Sequence, residues 1–403
     1  MALERYEVAD TPDRLSHALA ELSQLEQVGV DVERADWDRY WRRAALIQVG
    51  GEGIVVLVDP MVLESLEELD AFLAGRLTVL HAMENDLPPL ASAGVQPDRI
   101  ADTAIAAGLL GLPTGLESLL AELLDVRLEG DKAAMQRADW ERRPLTEDML
   151  RYAAGDVADL PALWRELEDR LHEAGRMDWY RQELDAAIAL PAVHDRRDWT
   201  RTKGAGRLDG PARARLRVLW DTREELARDH DTAPGRIMPD KLMIDLAGSP
   251  AGSPPELVRR GMRRQAARDH GERIVAALRA GHEAAAEPAA RTHRPITDAD
   301  RALVDKLRVR RAELARGVGI DPGILCPSRT LMNAVVADPP DPATLRELLG
   351  LRPWQWEILG WDFCEILELD GPGMPERPAV DPAGTADDAE PPPTTDDGSD
   401  TNG

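Results

Sequence analysis

Cysteine is scarce: Cys326 and Cys364 are the only two in 403 residues, too few for a disulfide framework and without the spacing of a zinc site. No apolar run is long enough to cross a bilayer. Residues 1–10 are polar and acidic with no apolar stretch behind them, unlike a secretory signal or an organelle transit peptide. A phosphate-binding glycine loop ending in Lys-Ser or Lys-Thr is missing, which excludes a P-loop helicase. The expectation from these absences is a cytoplasmic enzyme with no membrane partner. Positive charge is also short overall, with 49 Lys and Arg against 74 Asp and Glu and a net charge of −25.

What is present is an ordinary globular composition, 43% hydrophobic and 31% charged, long enough for roughly two to four compact units. The charge deficit is uneven. Residues 1–190 carry 18 basic and 38 acidic side chains, whereas 191–296 carry 21 and 15. Residues 297–370 carry 9 and 13, and 371–403 carry 1 and 8. Phosphate binding needs a local positive surface rather than a positive molecule, so a polyanionic substrate stays possible through the middle of the chain.

The first 190 residues read as α/β. Val28-Gly-Val-Asp-Val-Glu33, Ala44-Ala-Leu-Ile-Gln-Val49, Ile54-Val-Val-Leu-Val58 and Leu77-Thr-Val-Leu80 are short β-branched runs, and Gly50-Gly-Glu-Gly53 makes a hairpin turn between the middle two. The first of these is expected to be the first strand. A helical period follows from Leu116, and again over 146–171. After 190 no strand is expected. Residues 191–208 read as a basic linker, 209–283 as a helical domain, 284–296 as a small-residue linker and 297–370 as a second helical domain. An internal repeat links the two domains: Arg223-Glu-Glu-Leu-Ala-Arg228 matches Arg311-Ala-Glu-Leu-Ala-Arg316, and Pro234, Gly235 and Pro239 match Pro322, Gly323 and Pro327 at the same offset of 88. Gly248-Ser-Pro-Ala-Gly-Ser-Pro-Pro255 reads as an insertion in the first copy. Residues 371–403, rich in Pro, Asp, Gly and Thr, cannot bury a core and read as a disordered acidic tail.

Strand alternation puts Asp31 and Glu33 on one face, where two carboxylates meet. Burying like charges together is costly without a compensating cation, so the pair suggests a metal site, against the alternative of a solvated edge-strand face. Asp86 follows the strand ending near His81, where a helix cap would be the ordinary role of an aspartate. Tyr152 and Asp156 lie four apart on a helix and share a face, as in any amphipathic helix.

Taken together, Asp-x-Glu on a strand, Asp after a later strand and Tyr-x-x-x-Asp on a helix resemble the DEDD exonucleases of the ribonuclease-H-like, or DnaQ-like, fold. Tyr152 marks the tyrosine variant, with Arg151 where the histidine variant carries its histidine. Leu46-Ile-Gln-Val49, Val58-Asp-Pro60, His81-Ala-Met-Glu-Asn-Asp-Leu87, Asp102-Thr103, Asp139-Trp140, Arg143-Pro-Leu145 and Tyr152-Ala-Ala-Gly-Asp-Val157 narrow the likeness to ribonuclease D over residues 1–190. Trp199-Thr-Arg-Thr-Lys-Gly204 and Pro234-Gly-Arg-Ile-Met-Pro239 resemble the HRDC module that ribonuclease D shares with RecQ-type helicases, with the copy at 297–370 the more diverged.

The resemblance implies a 3′-5′ exoribonuclease domain followed by two all-α HRDC domains, acting as a monomer on RNA with a free 3′ end, such as precursor tRNA or other stable RNA. It implies two divalent ions, Mg²⁺ or Mn²⁺, with Asp31 bridging both, Glu33 and Asp156 holding the one that activates water, Asp86 supporting the other through water, and Tyr152 orienting the nucleophile. A second expectation is that positive side chains grip RNA phosphates without sequence preference. The candidates are Arg201, Lys203, Arg207, Arg259, Arg260, Arg263 and Arg264, with Arg196, Arg197, Arg213, Arg215, Arg217 and Arg268 in the same stretch; the alternative is salt bridging within acidic helices. A DNA exonuclease and a non-catalytic RNA-binding scaffold are the competing readings.

Overall fold

Alternating and continuous apolar runs give the strands their places, and the computed structural model describes residues 5–34, 38–41, 43–128, 131–190, 198–287 and 296–376. The chain forms two compact units, Met1–Thr292 and His293–Gly403.

The first unit opens with a six-stranded sheet: β1 (Arg5–Ala9), β2 (Gln27–Arg34), β3 (Ala44–Gly51), β4 (Ile54–Val58), β5 (Leu77–Leu80) and β6 (Arg99–Asp102), ordered β1-β4-β3-β2-β5-β6. β2, β3 and β4 form an antiparallel meander, while β1 runs parallel to β4, and β5 and β6 run parallel to β2. The anticipated β3–β4 hairpin is present, and its turn residues Glu52 and Gly53 both have positive φ, as a tight hairpin requires. Among the described residues nine helices accompany the sheet: α1 (Pro12–Glu21), α2 (Glu67–Leu73), α3 (Leu87–Ser92), α4 (Thr103–Leu109), α5 (Leu116–Leu124), α6 (Lys132–Met135), α7 (Glu147–Ala158), α8 (Leu160–Glu173) and α9 (Met177–Ile188). Val28, Val30 and Val32 of β2 join Ile47, Val49, Val56 and Val58 in one buried cluster.

Two expectations change here. The strand carrying Asp31 and Glu33 is the second in the chain, because β1 precedes it. The helical pattern over 146–171 is two helices rather than one, since Asp159 takes a non-helical conformation and Pro161 sits in the first turn of α8, where its missing N–H costs nothing.

The same unit continues into α10 (Gly210–Asp229), α11 (Pro234–Ile237), α12 (Asp240–Gly248), α13 (Pro254–Arg259) and α14 (Arg264–Glu283). Residues 198–208 are not a free tether: Ala205 belongs to this region's core, with Trp199 and Leu208 packed against it. The second unit holds α15 (Asp298–Val318), α16 (Pro322–Leu325), α17 (Ser328–Ala337), α18 (Pro342–Leu349) and α19 (Pro353–Leu367).

The repeat is structural. α11, α12 and α13 begin 88 residues before α16, α17 and α18. Each copy buries an arginine that donates to a carbonyl fifteen residues on, Arg223 to Met238 at 3.3 Å and Arg311 to Cys326 at 2.5 Å. Because Pro254 and Pro342 start equivalent helices, Gly248–Pro255 is no insertion relative to the second copy. The distance along the chain from the start of α12 to the start of α13 equals that from α17 to α18. Residues 377–403, the greater part of the expected tail, and Arg196 and Arg197 lie outside the described residues.

Candidate active site

β2 turns its valines into the core, so alternation leaves Gly29, Asp31 and Glu33 on the opposite face. Gly29 decides what can approach that face: a Cβ there would stand 2.6 Å from the Val157 carbonyl and 2.8 Å from Leu160 Cβ. Its bare backbone lets the α7–α8 junction press onto β2. α7 buries Ala153, Ala154 and Val157 in that approach, and its Asp156 arrives beside the β2 pair. Carboxylate oxygens of Asp31, Glu33 and Asp156 lie within 4.8 Å of one another.

Asp86 comes from the parallel neighbour β5 by way of a turn that Asp102 holds. The Asp102 carboxylate accepts from Ala82 N at 3.3 Å and Met83 N at 2.7 Å, while capping α4 through Ala104 N and Ile105 N. Those bonds support Ala82 in a left-handed conformation, with φ of 60°, and carry the chain round to Asp86. Asp86 occupies the cap position of α3, but its side chain makes no capping hydrogen bond. It is almost fully buried. It lines the same cavity of about 590 Å³ as Asp31, Glu33, Tyr152 and Asp156, although it stands outside the close group of three.

Electrostatics follow from crowding acids in a partly dry site. Burial pushes the Asp31 carboxyl up to about 6, against the opposing pull of the Val32 backbone N–H and Arg34. Burial, and then the charges of Asp31 and Asp156, push Glu33 up to about 9. Asp86 is held well above the usual carboxylate range by burial first and Asp31 second. Tyr152 is raised by burial and by Asp156, so it stays a neutral phenol at physiological pH. Three carboxyls that resist ionising, with the Asp156 carboxylate beside them in one cavity, fit a site for a divalent cation with hard oxygen ligands. Gln48 adds a further sign. It pairs opposite Asp31 on β3, so their side chains share a face, and it is fully buried with neither amide atom hydrogen bonded.

The five residues expected to carry the chemistry therefore meet. Arg151, one position before Tyr152, is exposed and pairs with Glu147 at 3.6 Å. The other quoted motifs brace the walls. Arg143 forks onto Asp59 at 2.5 and 2.7 Å and donates to the Trp140 and Ala45 carbonyls, and the Trp140 ring lies 6.5 Å from that of Tyr152. Gln48, Gln136 and Arg137 were not anticipated. The last two line the cavity from a segment without strong periodicity, and only the cross-strand register reveals Gln48.

The expected phosphate grip divides. Lys203, Arg207, Arg259, Arg263, Arg264 and Arg268 are exposed and have no ion-pair partner among the described residues. Arg260 is instead engaged with Asp245 at 2.6 Å and with the Ser249 carbonyl. Arg213 and Arg215 are buried and donate to the Ala205 and Ala247 carbonyls, and Arg217 pairs with Glu287 at 2.6 Å. Arg201 is exposed.

Comparison with known proteins agrees with this geometry. Residues 6–172 match a 3′-5′ exonuclease family model, and residues 212–278 and 300–367 each match the HRDC domain. A ribonuclease D of Sphingobium indicum is 30% identical over 369 residues, covering 88% of this chain and 92% of the relative. A ribonuclease D of Desulfotalea psychrophila is 26% identical over 378 residues, covering 90% and 99%. The crystal structure of Escherichia coli RNase D, described as an exoribonuclease involved in structured RNA processing, superposes with a TM-score of 0.74 at 22% identity over 90% of this chain and 99% of that one.

Proposed function

Given that the chain belongs to the ribonuclease D family and is accordingly a 3′-5′ exoribonuclease, we propose that it removes nucleoside 5′-monophosphates one at a time from the 3′ ends of precursor tRNA or other stable RNA. The observation that carries this reading is the convergence of Asp31, Glu33 and Asp156 in a cavity shared with Asp86 and Tyr152. Asp31, Glu33, Asp156 and Asp86 would hold two divalent ions, Mg²⁺ or Mn²⁺, with their carboxylate oxygens. When bound, such ions activate a water and stabilise the charge that develops on the scissile phosphate and its leaving oxygen.

The chain's own groups do the rest. Glu33 holds its proton up to about 9 because it is buried beside Asp31 and Asp156; once ionised it would hold a cation and accept a hydrogen bond from the attacking water. Burial and the Asp156 carboxylate favour the neutral phenol of Tyr152, which suits it to hold the nucleophile in line by hydrogen bonding. Lys203, Arg207, Arg259, Arg263 and Arg264, together with Arg201, offer charge for the RNA backbone on the first helical copy. No helix among the described residues is long and apolar enough to cross a membrane.

Labelled RNA and DNA oligonucleotides with free or blocked 3′ ends, incubated with and without Mg²⁺ or Mn²⁺, test the proposal. Stepwise monophosphate release from free RNA ends, dependent on the cation, is the expected result. Equal or faster release from DNA reassigns the substrate, and no release from either removes the reading.

A further inference from the structure

The loop between β2 and β3 leaves the site at Glu33, where the strand register is irregular between Glu33 and Arg34, and returns at Ala44 after touching the first helical copy. Its described residues do more there than pass by. The Asp38 carbonyl accepts from Ala233 N at 2.8 Å, and the Asp38 carboxylate pairs with Arg236 at 3.0 Å. Tyr40 is buried within the apolar cluster of the helical copy, and the Arg228 guanidinium lies 5.6 Å over its ring.

Asp231 is where these contacts converge. It sits just after α10 in a left-handed conformation, with φ of 43°. One carboxylate oxygen accepts from Trp41 N at 3.1 Å, and the other takes Arg39 at 3.4 Å and Arg43 at 3.1 Å. Arg39 is shared, because its guanidinium also forks onto Glu141 at 2.6 and 3.3 Å. Glu141 is the chain neighbour of Trp140, which lines the cavity beside Tyr152. Through one carboxylate the helical copy thus holds the loop that leaves Glu33 and, by way of Arg39, the Trp140 segment that backs Tyr152.

We propose that Asp231 is a positioning residue for the exonuclease reaction, so that docking of the first HRDC copy sets the turnover of the site as well as its hold on RNA. This rests on the exonuclease reading above. A module that served only as a grip would need a tether and an exposed basic face. It would not need three cationic or N–H donors from the catalytic domain gathered on a single aspartate.

A diribonucleotide separates the two roles, because its single phosphodiester linkage, once in the site, leaves no further phosphate for the arginines of α13 and α14. The variant is Asp231→Asn in the full chain. Asn tolerates the left-handed conformation and keeps an acceptor for Trp41 N, but loses the charge that holds Arg39 and Arg43. Its kcat on the dinucleotide should fall about three- to tenfold with KM little changed, the scale of coupling through a packed network. Arg39→Gln, a substitution at a partly exposed side chain, should lower the same constant and carries the test if the first variant folds poorly. The double variant should be no slower than the slower single one. Unchanged kcat in both variants, a loss confined to KM on long RNA, or fully additive effects would overturn the proposal. A wild-type chain that cleaves no dinucleotide at all would count against the exonuclease reading instead.

Discussion

The β2 face and the first helical copy handle charge in opposite ways within one compact unit. On β2, beside Asp156 of α7, negative groups are crowded until they resist ionising, with Glu33 up to about 9. On α13 and α14, positive groups stand in solvent, and Arg259, Arg263, Arg264 and Arg268 have no ion-pair partner among the described residues. Buried like charges are tolerable where a counter-ion will enter, and exposed unpaired charges are cheap and ready for a polyanion. The contrast separates a site for bond cleavage from a surface for grip. The second helical copy sharpens it. At the 88-residue offset Arg259, Arg263 and Arg268 become Glu347, Leu351 and Trp356, although the buried arginine and the helix order are kept. The scaffold was retained while the basic surface was not.

The largest effect expected from breaking this contrast is on the acid side. Asp31→Asn should lower kcat on the order of 10³-fold or more, the cost of removing an electrostatic group from a reacting centre, while the metal-free melting temperature stays level or rises because one buried charge is gone. Monophosphate release and thermal melting check both halves. Tyr152→Phe comes next, with a loss on the order of 10²-fold in kcat and no change in cation affinity by calorimetry. On the basic side, replacing Arg259, Arg263, Arg264 and Arg268 together by Gln should weaken single-stranded RNA binding about tenfold and flatten its salt dependence, leaving kcat at saturating RNA unchanged. Binding titrations at several salt concentrations read this. The same change at Arg352 of the second copy should do little.

The smallest effect concerns pH. Between the ordinary carboxylate value and about 9, the metal-free fold keeps a proton on Glu33 that the unfolded chain has lost. Stability without cation therefore falls as pH rises through that window. A divalent cation replaces the proton, so its stabilisation should grow from pH 6 to pH 9, and Glu33→Gln should flatten that growth. Melting curves with and without Mg²⁺ across this range measure it.

How much could be read in advance follows the same physics. The four inner strands announced themselves through β-branched runs. The two that were missed, β1 and β6, are the edges of the sheet, where short strands keep charged residues such as Arg5 and Arg99 exposed and the apolar signal fades. The acids were legible because their spacing is local to a strand or a helix, and the family likeness joined them. What position alone hid was long-range: Gln48 opposite Asp31, the clearance that Gly29 gives α7, and Asp231 gathering donors from a loop some 190 residues earlier in the chain. The basic run was only half informative, since burial claimed Arg213 and Arg215 and ion pairing claimed Arg217 and Arg260.

Anomalous diffraction from crystals of the chain soaked in Mn²⁺ addresses the acid cradle without relying on activity. Peaks are expected among the oxygens of Asp31, Glu33 and Asp156 and toward Asp86, lost in Asp31→Asn. Manganese-dependent RNA cleavage in solution alongside a map with no peak between those carboxylates would contradict the account.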